Sequence, residues 1–320
     1  MLETLKVRAN LLVIVAPGQG AQTPALFEPW LEIDAFRAVV DKASETTGLN
    51  LEYLGTRADA DEIRQTSNAQ PLLVTSALGA FQCIASDLTL PSSTLVAGHS
   101  VGEIVSLAIS GVISATDAFR LVQARASAMH DATQLESTSM AAVLGGERDE
   151  VLSHLSSMKL VAANENGAGQ IVAAGSAAGI AVLLENPPAG ARVRALSVAG
   201  AFHTDYMKPA QARVHEVRGT LSLSEPKYRV ISNQDGAIIQ SGDELLDRIV
   251  SQIANPVRWD LCMQTMKQEG VTGLIELFPS GTLTGIAKRA LPEIETFGIT
   301  TPETLTDAVE FAQQHSRGAA

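Results

Sequence analysis

Residues 95–105 read LVAGHSVGEIV, a short apolar run that reaches a glycine and continues directly into an amphipathic segment. Gly98, Ser100 and Gly102 form the pattern Gly-x-Ser-x-Gly, which is typical of a tight turn from a buried strand into a helix that exposes a nucleophilic serine. Ser100 and Glu103 also fit a capping box, in which the two side chains bond backbone N–H groups at the start of a helix. Ser100 is therefore predicted either to cap a helix or to attack a substrate.

The same strand-to-helix pattern recurs along the chain. Apolar runs at 11–16, 94–98 and 271–281 each stop at glycine or proline. Helical patterns are predicted at 68–86, 101–110, 115–131, 205–219, 243–253 and 258–269, and in one terminal helix after Pro302 that fades into HSRGAA. Continuous apolar strands that alternate with helices indicate a parallel sheet buried on both faces. The fold class is predicted to be α/β, with a large core like that of the α/β-hydrolases.

Residues 139–200 differ from this pattern, because their segments are shorter and richer in small side chains. The order of the segments is strand, helix, strand, strand, helix, strand, which is the βαββαβ arrangement of a ferredoxin-like unit. We therefore predict a small ferredoxin-like subdomain at 139–200. It would be inserted into a discontinuous large core made of residues 1–138 and 201–320.

Composition excludes several classes of function. The 320 residues are 46% hydrophobic and 18% charged, as in globular proteins, and 23 Lys and Arg against 35 Asp and Glu give a net charge of -12. Such a charge repels nucleic acid and anionic membrane surfaces, so neither is an expected partner. Cys83 and Cys262 are too few for a disulfide framework, and the apolar run 11–16 is too short to span a bilayer. A soluble, cytoplasmic protein is expected, with a short leader at 1–10 to which no function is assigned.

A serine nucleophile requires a base, and the chain has six histidines. His203, in SVAGAFHTD (197–205), follows a predicted strand and precedes a helix, where α/β folds place functional loops. A structural histidine remains the alternative for His203. His99, inside the serine turn, is expected to point away from the hydroxyl and brace the loop.

Two further signals accompany the serine. The segment APGQGAQ (16–22) lacks the lysine of a nucleotide-binding loop, so we predict that the backbone N–H groups of Gln19 and Val101 form an oxyanion hole. Arg125 lies on the apolar face of its predicted helix, where a guanidinium is costly unless it meets an anion. It is predicted either to bind a substrate carboxylate or to be a snorkelling or internally paired arginine.

The chain resembles the malonyl-CoA:acyl carrier protein transacylases of bacterial type II fatty acid synthesis over about residues 11–290. The resemblance rests on eight motifs in a fixed order. They are PGQGAQ (17–22), QPLL (70–73), GHSVGE (98–103), LVQARASAM (121–129), NENGAGQIVAAG (164–175), AGAFHT (199–204), QIANPVRW (252–259) and GTLTGIAKR (281–289).

The resemblance implies a set of site residues and partners. The residues are Ser100 as the acylated serine, His203 as general base, Gln19 and Val101 as the oxyanion hole, Arg125 as malonate ligand, Met129 as a pocket wall, Gln252 as the carbonyl that orients the histidine, and Asn166 near the serine. Phe202, where methylmalonyl-specific relatives carry serine, implies a preference for malonyl. The partners implied are malonyl-CoA and acyl carrier protein, without a resident cofactor or metal, and a monomer is expected.

The chain departs from the family pattern at two places. Pro279-Ser280-Gly281 stands where many relatives have Gly-Pro-Gly, and Glu165 stands where relatives often have an apolar or aromatic residue, which could alter the entrance to the site. Three alternative functions remain open: a malonyltransferase for a polyketide carrier protein, a serine esterase or thioesterase, and a catalytically silent binding module.

Overall fold

The computed structural model describes residues 10–316 of the chain. Residues 1–9 and 317–320, which include most of the leader and the end of the HSRGAA tail, lie outside the described residues. The described part is a mixed α/β structure with two sheets surrounded by helices. The predicted α/β class is therefore confirmed.

The strands are numbered β1 to β11 in chain order. They span Leu12–Ala16, Leu95–Gly98, Thr138–Gly145, Val161–Gly167, Gln170–Ser176, Ala191–Ala195, Arg229–Ile231, Ile238–Ile239, Val257–Arg258, Gly273–Glu276 and Glu295–Gly298.

The α-helices of residues 10–316 are numbered α1 to α13. They span Asp34–Thr47, Leu51–Thr56, Ala60–Arg64, Thr66–Ala85, Gly102–Ile109, Ala115–Thr133, Arg148–Ser157, Ala177–Glu185, Lys208–Arg218, Gly242–Gln252, Trp259–Glu269, Thr282–Ala290 and Leu305–Ser316.

The larger sheet has the strand order β11-β10-β1-β2-β7-β8. Its strands are parallel except for β8, which runs antiparallel to β7. The expectation of a wholly parallel sheet is wrong at this edge. The loop between β7 and β8 contains Asp235-Gly236, with Gly236 at a φ of 73°, and such a pair favours reversal of the chain into a hairpin.

The second sheet has the order β6-β3-β5-β4-β9. Its first four strands and helices α7 and α8 follow the predicted order of strand, helix, strand, strand, helix, strand. The fifth strand, β9, comes from outside 139–200 and pairs parallel with β4 through Asn164 and Val257. The second sheet therefore extends beyond the predicted insert.

The structure contains elements that the sequence patterns did not indicate. Helices α1 to α3 and α12 were not predicted, and neither were strands β7 and β11. The two strands, Arg229–Ile231 and Glu295–Gly298, have three and four residues and are shorter than the five-residue β1. They form because neighbouring strands of the sheet supply hydrogen-bond partners.

The carboxyl ends of β1 and β2 meet one face of the second sheet at a cavity of about 260 Å³. Helix α12 closes one side of this cavity with Thr282, Leu283 and Ile286. The ends of neighbouring parallel strands are the usual place for a site in α/β folds.

Helix α12 takes its N-terminal cap from the sheet, since it has no side-chain cap of its own. The carboxylate of Glu276, at the end of β10, is fully buried and accepts hydrogen bonds from the backbone N–H groups of Gly281, Leu283 and Thr284 at 2.8, 2.9 and 2.8 Å. These bonds fix the wall of the cavity to the sheet.

We expect Glu276→Gln to lower the free energy of unfolding by about 2 kcal/mol, because the amide replaces an accepting oxygen with a donor that faces backbone N–H groups. Urea denaturation measures this difference. Glu32→Gln, which changes an exposed glutamate, is the control and should stay within about 0.5 kcal/mol of the parent protein. Equal stability of the two variants would contradict the role of Glu276.

Candidate active site

The turn that carries Ser100 joins β2 to α5 and leaves no room for a side chain at Gly98 or Gly102, which lie two residues before and after the serine. Ser100 has a φ of 53°, in the left-handed region. A Cβ added to Gly98 would lie 2.0 Å from the backbone of Gly102, and a Cβ on Gly102 would lie 2.4 Å from the Ala16 carbonyl oxygen. Both glycines are thus required by the close approach of backbone segments.

The capping box predicted for Ser100 and Glu103 is wrong. Helix α5 begins without a side-chain cap, and Ser100 lies outside the extended conformation that N-cap residues adopt. The Ser100 hydroxyl is bonded to His203, and the Glu103 carboxyl group accepts from the backbone N–H of Asn233. The serine therefore faces the cavity rather than the helix.

Ser100 and His203 are 103 residues apart in sequence and are brought together by the fold. Ser100 Oγ lies 2.7 Å from His203 Nε2, and His203 Nδ1 lies 2.7 Å from the Gln252 carbonyl oxygen. Because a carbonyl only accepts, Nδ1 carries the proton and Nε2 accepts the serine hydroxyl. Burial, together with the charge of Arg125, lowers the pKa of His203 to about 3. The imidazole is therefore a neutral acceptor at neutral pH.

Two backbone N–H groups stand free beside the serine. Gln19 and Val101 both line the cavity, and within residues 10–316 neither backbone N–H donates a hydrogen bond. The N–H of Ser100 itself is taken by Asn233 Oδ1 at 2.8 Å. An oxyanion on a carbon attached to Ser100 Oγ could thus be met by the first two donors.

Arg125 is 1% exposed and ends at the cavity. Its Nη1 donates to Gln70 Oε1 at 2.6 Å, and its Nη2 donates to Gln252 Oε1 at 3.0 Å and Ser100 Oγ at 3.3 Å. Its Nε has no partner among the described residues, and no ion pair of Arg125 occurs there. Burial lowers the pKa of Arg125 to about 10. Arg125 neither snorkels nor pairs with a carboxylate.

Glu103 and Asn233 form a buried support behind the turn. Glu103 accepts from the Asn233 backbone N–H at 2.6 Å and from Gln252 Nε2, while Asn233 Nδ2 donates to the Gly98 carbonyl at 2.7 Å. Burial raises the pKa of Glu103 to about 8. Sequence reasoning missed Asn233, which lies two residues after β7, because β7 itself was not predicted.

The remaining predicted site residues line the same cavity: Met129, Asn166 and Phe202. Asn166 Oδ1 lies 2.8 Å from His99 Nε2, so Asn166 contacts the neighbour of the serine rather than the serine itself. The ring of His99 meets Trp259 edge to face, and His99 braces the turn from outside the Ser100 and His203 pair.

The two departures from the family pattern lie outside the cavity lining. Glu165 is buried, and its carboxylate pairs with Arg148 at 2.7 Å and Arg258 at 3.4 Å. Pro279-Ser280-Gly281 precedes α12 without lining the cavity. The expected effect of Glu165 on the entrance is therefore not supported by its contacts.

Residues 10–316 contain no group of three or more His, Cys, Asp or Glu side chains arranged to hold a metal ion. No helix in that range has the length and apolar character needed to cross a membrane. Cys83 and Cys262 are both free thiols.

The lowered pKa of His203 predicts how stability depends on pH. Below pH 6.5 the unfolded chain takes up a proton on this histidine, whereas the folded protein does so only near its pKa of about 3. Stability is therefore lost as the pH falls through this window. From pH 7 to pH 5 the parent protein should lose about 2 kcal/mol more than His203→Gln, as measured by urea denaturation. Equal losses would contradict the burial of a neutral imidazole.

Comparison with known proteins gives one consistent family. The family model described as acyl transferase domain matches residues 13–310. A curated malonyl CoA-acyl carrier protein transacylase of Mycobacterium tuberculosis is 44% identical over 298 residues, 93% of this chain and 99% of the relative. One of Bacillus subtilis is 30% identical over 318 residues, 96% of this chain and 99% of the relative.

The fold agrees with these sequence matches. The crystal structure of MCAT from Mycobacterium tuberculosis superposes with a TM-score of 0.90 at 44% identity, covering 93% of this chain and 99% of that one. The resemblance noted from the motifs is thereby confirmed. The chain belongs to the acyl transferase domain family, and within it to the malonyl CoA-acyl carrier protein transacylases.

Proposed function

We propose that this protein transfers the malonyl group from malonyl-CoA to the phosphopantetheine thiol of acyl carrier protein, and so supplies fatty acid chain elongation. The proposal rests on one observation. Ser100, His203 and Arg125 line the same cavity, and Arg125 has no ion-pair partner among residues 10–316. The first two residues supply acyl transfer, and the third selects an acyl group that keeps a free carboxylate.

The first half-reaction forms a malonyl-serine ester. Ser100 Oγ attacks the thioester carbonyl while His203 Nε2 takes the hydroxyl proton. The tetrahedral oxyanion is held by the N–H groups of Gln19 and Val101. When the intermediate collapses, the C–S bond breaks and the thiolate of CoA leaves with the proton from His203. The Gln252 carbonyl keeps Nδ1 protonated, so that Nε2 remains the base throughout.

The malonyl carboxylate pairs with Arg125 during both half-reactions. The free Nε and the neighbouring Nη2 form one edge of the guanidinium, which suits a two-pronged contact with a carboxylate. Met129 and Phe202 bound the space around the acyl chain, and the bulk of Phe202 disfavours an α-methyl group. Asn166 shapes the cavity wall through His99.

The second half-reaction reverses the first. The phosphopantetheine thiol, which the carrier protein brings, enters the same cavity and gives up its proton to His203 as it attacks the ester. Ser100 recovers its proton when the ester C–O bond breaks, so the kinetics are ping-pong. CoA and the carrier exchange at one site, and the enzyme needs no resident cofactor.

The partner of His203 Nδ1 favours a transferase over a serine esterase with an acidic triad member. That partner is a carbonyl oxygen, and the buried carboxyl group of Glu103 bonds to Asn233 and Gln252 instead. The cavity between the two sheets shields the ester from water until the second thiol arrives.

We also propose the finer architecture and assembly expected from the sequence. Residues 139–200 would be a ferredoxin-like subdomain, which the strand order β6-β3-β5-β4 supports, inserted into an α/β-hydrolase-like core of 1–138 and 201–320. The protein would act as a cytoplasmic monomer whose partners are malonyl-CoA and acyl carrier protein.

Intact-protein mass spectrometry after brief incubation with malonyl-CoA or acetyl-CoA tests the proposal. We expect a malonyl adduct from malonyl-CoA, little adduct from acetyl-CoA, and none on Ser100→Ala. Arg125→Ala should slow malonyl loading about a hundredfold, because the acyl carboxylate loses its buried partner. Arg120→Ala, which removes an exposed arginine of the same helix, is the matched control and should load normally.

Three outcomes would contradict the proposal. A malonyl adduct on Ser100→Ala would remove Ser100 as the nucleophile. Equal loading by acetyl-CoA would remove the role of Arg125. A parent protein that forms no adduct and transfers nothing to the carrier would be a binding module instead.

A further inference from the structure

Within residues 10–316, every hydrogen-bond acceptor of Arg125 is a neutral oxygen atom. Its three acceptors are Gln70 Oε1, Gln252 Oε1 and Ser100 Oγ. An amide or hydroxyl oxygen fixes the direction of a guanidinium without balancing its charge. A buried, unbalanced cation is costly, so such an arrangement is poised to take up an anion.

The buried carboxyl group of this network does not cancel the charge of Arg125 by contact. Glu103 reaches Arg125 only through the side chain of Gln252, which accepts from Arg125 and donates to Glu103. Burial raises the pKa of Glu103 to about 8, so this carboxyl group carries less negative charge at neutral pH than an exposed glutamate does. Among residues 10–316, no carboxylate contacts the Arg125 guanidinium at the cavity.

Gln70 and Gln252 both bond Arg125, but they differ in their other contacts. Gln252 also orients His203 through its carbonyl and bonds Glu103 through its Nε2. Gln70 is 1% exposed, and the second contact of its amide is Nε2 to the Met129 sulfur at 3.5 Å. A thioether is a weak acceptor, so Gln70 serves Arg125 alone.

We propose that Gln70 is a specificity-determining positioning residue: its neutral amide holds Arg125 in place while leaving the positive charge for the acyl group to balance. This inference rests on the proposed function, because it takes the acyl carboxylate to be the ligand of Arg125. A malonyl group balances the charge. An acetyl group has no carboxylate and leaves the guanidinium without a counterion, so it is disfavoured.

The position of Gln70 allows its charge to be changed without changing its shape. In Gln70→Glu one carboxylate oxygen takes the place of Oε1, 2.6 Å from Arg125 Nη1, and the other takes the place of the nitrogen beside the Met129 sulfur. The new carboxylate would then neutralise Arg125 from inside the protein. In Gln70→Met the acceptor is lost but the charge of Arg125 stays unbalanced.

The experiment compares initial rates of covalent loading from malonyl-CoA and from acetyl-CoA on the full chain, followed by intact mass at pH 7. In Gln70→Glu we expect the malonyl-to-acetyl rate ratio to fall about a hundredfold, with acetyl loading unchanged or faster. In Gln70→Met we expect slower malonyl loading but a ratio within about tenfold of the parent protein. Gln82→Glu adds the same charge at an exposed position of the same helix and should leave the ratio unchanged.

Each result either supports or overturns the inference. A parental ratio in Gln70→Glu, or a ratio in Gln70→Met that falls as far as in Arg125→Ala, overturns the role of Gln70 while leaving the proposed function intact. If thermal unfolding shows that Gln70→Glu does not fold, the Gln70→Met ratio decides alone. If the parent protein loads no malonyl group, the proposed function itself fails.

Discussion

The left-handed backbone at Ser100 is the constraint around which the site is arranged. A residue with a Cβ pays a steric cost of about 1–2 kcal/mol in this conformation, and it persists only where its surroundings fix it. Gly98 and Gly102 permit the turn by bringing β2, α5 and the end of β1 into backbone contact. Asn233 then holds the turn from the neighbouring strand, since it bonds both the Ser100 N–H and the Gly98 carbonyl.

This constraint decides which donors and acceptors remain for chemistry. Asn233 occupies the Ser100 N–H, so the free donors beside the serine are those of Gln19 and Val101. The Ser100 hydroxyl points away from helix α5 and forms a hydrogen bond with His203. His203 also has a left-handed backbone, with a φ of 60°. The left-handed backbone at both Ser100 and His203 is held in place by the buried polar network around them.

Much of this could be predicted from local sequence. The Gly-x-Ser-x-Gly pattern, the apolar run at 11–16 and the inward Arg125 each follow from the spacing of neighbouring residues. The capping box was an equally good local pattern and was wrong, because its two side chains found partners more than a hundred residues away in sequence. The short strands β7 and β11 were missed for the same reason, since their stability comes from neighbours in the sheet.

The sequence by itself determined the alternation of strands and helices, the exposed serine turn, the candidate base and the family. The tertiary structure alone decided what surrounds Arg125, that Gln70 and Gln252 hold it with neutral oxygens, and that Asn233 and Glu103 support the turn. The physical reason is that backbone conformation responds mainly to nearby residues. The charge balance and hydrogen bonds of a buried group depend instead on side chains that only folding brings together.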